Sequence, residues 1–303
     1  FNIFYTIKQT NYSADNLNLL DASTNVIINA SKVMSLTGST FALLNAYESN
    51  GISGLGNEIA IISDTSIDTS FLKALDENTT GIINASSVNT LTGSAYDINT
   101  TLSSNGISNL GNQSISITDT SIDASLLKAL DENTNIIING NSASTLTGTT
   151  SDLITVYESH GISGLGNEAV IINSGTSTVS SANILSDATS GIITATLSDR
   201  NMATLTGLKG VGNAYTINID DNVVDSALLI ALNSKTIASI DVSKVDSLNG
   251  NSYDLSKVYE LSNISGLGDE VLTISDTFID ASLLNTLDGN TSGVINASTV
   301  NTL

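Results

Sequence analysis

A fixed internal period constrains this chain more than any local propensity, because near-copies of one segment must fold into near-copies of one unit. SDTSIDTSFLKALDENTTGIINASSVNTLTG, starting at Ser63, returns as TDTSIDASLLKALDENTNIIINGNSASTLTG from Thr118, fifty-five positions on, and again as SDTFIDASLLNTLDGNTSGVINASTVNTL from Ser275. With the INAS-type segment as marker, repeats begin at Val26, Gly81, Ile136 and Gly191, spaced by the same fifty-five positions each time, then at Ala238 and Gly293. The interval from Gly191 to Ala238 is forty-seven positions, so eight are missing there. The 303 residues read as a single array with repeats at about 1–25 (partial), 26–80, 81–135, 136–190, 191–237 (shortened), 238–292 and 293–303 (partial).

Each repeat divides into two related halves. GIINAS, SVNTLTG and SAYDINTTLSSN (81–105) make the first; GISNLG, NQSISITDT and SIDASLLKALDENT (106–134) make the second. β-Branched alternation such as Ile59/Ile61 and Ile115/Ile117, bounded by Gly and Asn, predicts strands. Ile122, Leu126, Leu127 and Leu130 fall on one helical face, which leaves Lys128, Asp131 and Glu132 for solvent. A unit of about 25–30 residues cannot bury its apolar face alone, so neighbours must stack. The expected fold is an α/β repeat solenoid of strand-strand-short helix coils, two coils per 55-residue repeat, advancing roughly 10 Å if strands pair at ~4.8 Å.

The missing eight positions lie where Thr204–Gly207, a TLTG like those at Thr90 and Thr145, runs straight into LKGVGN. Losing a helical segment there should leave a kink or notch, a contact site or register mark; an uninterrupted array through Leu208 would contradict this. The sequence opens within one half and ends within another, without a polar cap, so it is expected to be a window on a longer polypeptide or to be capped by other copies.

Composition narrows the function. Cysteine is absent, which removes disulfides and thiolate metal sites. A net charge of −21 repels phosphate backbones and anionic headgroups, which argues against nucleic-acid partners. No apolar run is long enough to insert in a bilayer. Serine, cysteine and histidine-metal chemistries find no motif, and the protein is expected not to be an enzyme.

The most site-like motif is DTSID: Asp64 and Asp68, Asp119 and Asp123, Asp276 and Asp280, with a degenerate copy around Asp220, Asp221 and Asp225. These carboxylates are calcium candidates, but at a strand-to-helix junction capping is the simpler role. Gly-Leu-Gly at Gly54, Gly164 and Gly266, with NLGN and GVGN variants, predicts corners with positive φ. Thr-Leu-Thr places Leu91, Leu146 and Leu205 inward and threonines outward, an ice-binding-like rank broken at Ser35, Ser247 and Asn249. Tyr47, Tyr157 and Tyr259 share one position with Leu102, which says core. His160 replaces Asn50 of a sibling repeat and reads as an exposed substitution. Several sequons occur, including Asn29, Asn84, Asn99, Asn112, Asn290 and Asn296, most of them expected by chance in so Asn-rich a sequence.

The recurring ISGLGNE, SDTSIDASLLKALDENT and INASSVNTLTG, acidic and cysteine-free, resemble over the whole length the repeat regions of very large bacterial surface proteins, particularly those of marine cyanobacteria. The resemblance implies an extracellular or cell-surface location and a spacing, coating or adhering role. The expected function is a structural protein self-assembling into a filament, sheath or surface layer, its partners copies of itself or cell-surface polysaccharide. The alternatives are an adhesin stalk or phage-fibre spacer, stabilised by calcium, then an ice-binding or polysaccharide-degrading β-solenoid.

Overall fold

The computed structural model describes residues 5–302. It contains two compact units: one ends at Ala143 and also takes Glu158–Leu165, and the other consists of Ser144–Tyr157 and everything from Gly166 onward. Both are parallel strands alternating with helices, repeated along the sequence, with no closed barrel among the described residues. The helices are α1 (Ala14–Ala22), α2 (Thr40–Glu48), α3 (Thr69–Asn78), α4 (Ala95–Leu102), α5 (Ala124–Glu132), α6 (Thr150–Glu158), α7 (Val179–Ala188), α8 (Met202–Leu205), α9 (Ser226–Asn233), α10 (Ser252–Tyr259) and α11 (Ala281–Asn290). The predicted α5 starts two positions later than its apolar spacing suggests, because Ile122 lies in the short strand Ser121–Asp123 that leads into it.

Strand pairing runs on a shorter step than the repeat. Asn11 faces Ser35, Ser35 faces Ile59 and Ser66 faces Thr90, each twenty-four positions on. Two such steps use forty-eight of the fifty-five positions in a repeat, and the remaining seven carry the backbone sideways to open a new ladder. In the first unit one ladder therefore comprises Asn11–Ser13, Ser35–Gly38, Ile59–Ile62, Ile83–Asn84 and Ile107–Ser108. The next comprises Ser66–Asp68, Thr90–Gly93, Ser114–Ile117, Ile138–Asn139 and Ile162–Ser163. The ladders overlap in sequence, one passing through Ile59–Ile62 just before the other begins at Ser66.

The core forms where these ladders back onto the helices. Leu36, Ala60 and Ile83 line one inward row and Leu91, Ile115 and Ile138 the equivalent row of the next ladder, all essentially buried. Leu17, Leu43, Leu72, Leu75, Ile98, Leu127 and Leu130 cover them from the helix side. Helices this short are marginal alone, and burial of each such side chain, worth about 1.5–3 kcal/mol, is what holds them.

In the second unit a ladder runs through Thr145–Thr149, Ala169–Ser174, Ile193–Thr196, Ala214–Asn218, Ile240–Asp241 and Ile264–Ser265. It passes through the shortened repeat without a break: Val170 faces Ile193, Thr194 faces Ala214 and Ile217 faces Ile240. The shortened repeat still opens a new ladder, at Val223–Asp225; what contracts is one pairing step, which spans only twenty positions from Thr194 to Ala214. The interruption expected beside Leu208 is therefore not in the strands; the loss falls on the helix row, where α8 has only four residues.

Thr204–Gly207 is also not the strand its TLTG motif predicts. Leu197, bridged to Ser177 and buried, already fills the inward ladder position. The motif is left to form the end of α8 and a turn, with Leu205 still buried. In the same repeat, Tyr215 pairs with Ala195, is fully buried, and leaves its hydroxyl without a partner.

Two substitutions test this packing by urea denaturation. Tyr215→Phe keeps the ring and removes an unpaired buried hydroxyl, so stability should rise by about 1 kcal/mol. Gly81→Ala would place a Cβ 2.0 Å from the Glu58 carbonyl oxygen, and should cost about 3 kcal/mol.

Candidate functional site

The acidic motifs act as caps, and the first Asp of each does so across neighbouring strand–helix units. The second Asp of each DTSID motif caps its own helix: the Oδ1 atoms of Asp68, Asp123 and Asp280 accept from the backbone N–H groups of Ser70, Ser125 and Ser282. The first Asp reaches back to the preceding strand–helix unit. Asp64 Oδ2 accepts from the N–H and hydroxyl of Thr40 at the start of α2, both at 2.6 Å. Asp119 accepts the N–H of Ala95 at 2.7 Å and Asp276 that of Ser252 at 2.5 Å.

The device persists where the motif is degenerate. Asp199 takes the N–H of Val179 and Asp221 that of Met202, while Asp225 caps α9 through Leu228. Asp220 turns outward to Lys244, 2.9 Å away, and to Arg200; these cations hold its carboxyl below the usual range. The first N–H groups of a helix have no partner within it, so a carboxylate from the next strand–helix unit satisfies a backbone group and complements the dipole at once. Asp64 and Asp68 also share a recess with Phe41, Ile67 and Phe71. Among the described residues no three acidic, His or Cys side chains gather into a group able to hold a metal ion.

A second set of carboxylates lies on the helix surfaces. Asp131, expected to face solvent, accepts the hydroxyl of Ser159 at 2.7 Å, and Ser159 Oγ accepts the N–H of Gly161. Asp76–Ser104–Gly106 and Asp21–Ser49–Gly51 repeat this arrangement. A Cβ at Gly51, Gly106 or Gly161 would lie 1.9–2.0 Å from the Asp Oδ1, so a larger residue would push that carboxylate aside.

The third set is buried. Glu58, Glu168 and Glu270 are 3%, 1% and 2% exposed, and each folds its carboxylate back onto the two N–H groups of the Gly-Asn or Gly-Asp pair preceding it. The glycines of these corners have the expected positive φ, for example +83° at Gly164 and +129° at Gly166. In the NLGN variant Asn109 takes the first position, with φ +64°. Tyr157 and Tyr259 donate their hydroxyls to Glu168 and Glu270; Tyr47 stands near Glu58, but its buried hydroxyl makes no hydrogen bond. Tyr157 and Tyr259 are therefore not plain core filling. Where Leu102 replaces Tyr, Gln113 replaces Glu: its Oε1 accepts the N–H of Gly111 and Asn112, and its Nε2 donates to the carbonyls of Val88 and Asn109.

Burial, reinforced by the adjacent carboxylate, pushes the hydroxyls of Tyr47 and Tyr157 well above their ordinary range; burial alone pushes Tyr215 up to about 12. His160 is exposed. The sequon residues Asn29, Asn84 and Asn296 use Oδ1 to accept the N–H of Ser31, Ser86 and Ser298, closing the turn after each short strand. No known protein-family model and no curated protein matches the sequence.

Removing a cap between units through Asp119→Ala should cost about 1–2 kcal/mol, with Asp119→Asn costing less, as read from urea midpoints. Tyr157→Leu leaves a buried carboxylate short of a donor and should cost about 3 kcal/mol; adding Glu168→Gln, which recreates the Leu102–Gln113 pair, should recover most of it in a double-mutant cycle. The raised tyrosine pKa values stabilise the fold fully below pH about 10, where unfolded tyrosine is still protonated. That contribution is lost as pH rises through the folded values, so the unfolding midpoint should fall steeply above pH about 10 while far-ultraviolet circular dichroism follows the loss of structure.

Proposed function

We propose that this protein is a structural repeat module: an α/β solenoid that gives length and a regular surface to an extracellular or cell-surface assembly, and that does no chemistry. One observation carries the reading. The side chains most suited to catalysis or ligand binding make near-identical cross-coil contacts in successive repeats, as Asp64, Asp119 and Asp276 do to Thr40, Ala95 and Ser252. A binding or catalytic centre would require one copy to diverge from its siblings; here the divergent repeat, 191–237, keeps the same contacts through Asp199 and Asp221.

Repeated surfaces favour lateral association of copies into filaments, sheaths or layers, with cell-surface polysaccharide as the other class of partner. No helix among the described residues is long and apolar enough to cross a membrane, which fits attachment by association and not by helical insertion. The test is electron microscopy of the protein at rising concentration, with and without calcium. Ordered filaments, sheets or tubes are the expected result. Isolated particles under every condition would refute self-assembly and leave a spacer, while assembly that requires calcium would assign the DTSID carboxylates a second role as ligands.

A further inference from the structure

Four Asn-Gly bonds occur in the sequence, at Asn50–Gly51, Asn105–Gly106, Asn139–Gly140 and Asn249–Gly250, and the fold places them in two different settings. Asn139 and Asn249 sit in ladder strands: the Gly140 N–H donates to the Ser163 carbonyl, and Gly250 faces Ile274 in the parallel sheet. Asn50 and Asn105 are exposed, and the glycine after each is the end of the Asp–Ser relay described above. Gly51 N–H donates to Ser49 Oγ at 3.0 Å and Ser49 donates to Asp21 at 2.6 Å. Gly106 N–H donates to Ser104 Oγ at 3.0 Å and Ser104 donates to Asp76 at 2.8 Å.

A glycine amide nitrogen polarised toward a base is the nucleophile in asparagine cyclisation. We propose that the two relays make Asn50 and Asn105 self-modifying sites. Gly N attacks the Asn Cγ while its proton passes through Ser Oγ to the Asp carboxylate. The new bond from Gly N to Asn Cγ closes a succinimide, the bond from Cγ to Nδ2 breaks, and ammonia leaves with a proton returned by the Asp. Water then opens the ring at either carbonyl to give aspartate or isoaspartate. Each event adds one negative charge, and the isoaspartate product adds a backbone methylene to a turn in which a Cβ on the glycine would already lie 1.9 Å (Gly51) or 2.0 Å (Gly106) from the Asp carboxylate. The outcome is a coil loosened with age at two fixed points. The third relay, Asp131–Ser159–Gly161, carries His160 in place of asparagine and is inert to this reaction.

The inference does not depend on the assembly reading. It is tested by incubating the intact folded protein in heavy-oxygen water near neutral pH and mapping peptides by mass spectrometry with isoaspartate detection. Asn50 and Asn105 should take up one heavy oxygen and lose ammonia about 100-fold or more faster than Asn139 and Asn249, the low end of what a positioned base contributes. In urea the four rates should converge. Ser104→Ala should slow Asn105 by a similar factor and leave Asn50 unchanged; a change at Asn50 would report misfolding, and the comparison within the unaltered protein then decides. Asn139 or Asn249 keeping pace in the folded protein would overturn the proposal. So would an unaltered or faster Asn105 in the folded Ser104→Ala variant, which would mean that the relay only locks the turn.

Discussion

Everything else in this fold depends on how backbone polar groups are satisfied where strands end and helices begin. A stack of parallel strands pairs its own ladder groups internally, but each strand–helix unit also contains a helix start and a tight corner whose N–H groups the ladder cannot reach. Here carboxylates supply the acceptors, some from the neighbouring strand–helix unit and some from within the same corner. Asp64 closes the start of α2 from one unit on, while Glu58, Glu168 and Glu270 close the Gly-rich corners from within. A high acidic content in a protein with few cations is then intelligible, because many of these carboxylates face backbone amides in place of lysines.

The same constraint accounts for the way the repeat tolerates length change. Parallel pairing fixes a step of close to twenty-four positions, and whatever remains of a repeat is free to move the backbone between ladders. The full repeat leaves enough for one sideways crossing. The shortened repeat keeps its crossing, to Val223–Asp225, and contracts one pairing step to twenty positions, from Thr194 to Ala214. On the helix side the same repeat is reduced to the four residues of α8.

The period, the strand-and-helix alternation, the positive-φ corners and the capping role of Asp68 and Asp123 were legible in the sequence because each rests on a local rule. The stagger of the ladders was not, since it arises from the difference between repeat length and pairing step, and only the first is written in the sequence. Thr204–Gly207 misled because an identical tetrapeptide is a strand elsewhere; once Leu197 takes the inward position, tertiary context overrides the local pattern. The buried Glu58, Glu168 and Glu270 were missed because an acidic residue after a Gly-rich corner reads as solvent-facing. Their signal was present: each Tyr stands eleven positions before its Glu, and the one repeat with Leu102 carries Gln113 at the same distance.

The central claim, that successive strand–helix units are locked to one another by carboxylates at helix starts, is tested most directly by native-state amide exchange followed residue by residue. The first N–H of an isolated helix exchanges freely, having no intrahelical partner. The account predicts that Thr40, Ala95, Met202 and Ser252, each bonded to an Asp of the next strand–helix unit, are protected to the same degree as the neighbouring ladder amides of Leu36, Leu91 and Leu248. Exchange at these four positions as fast as at an open helix start would contradict it.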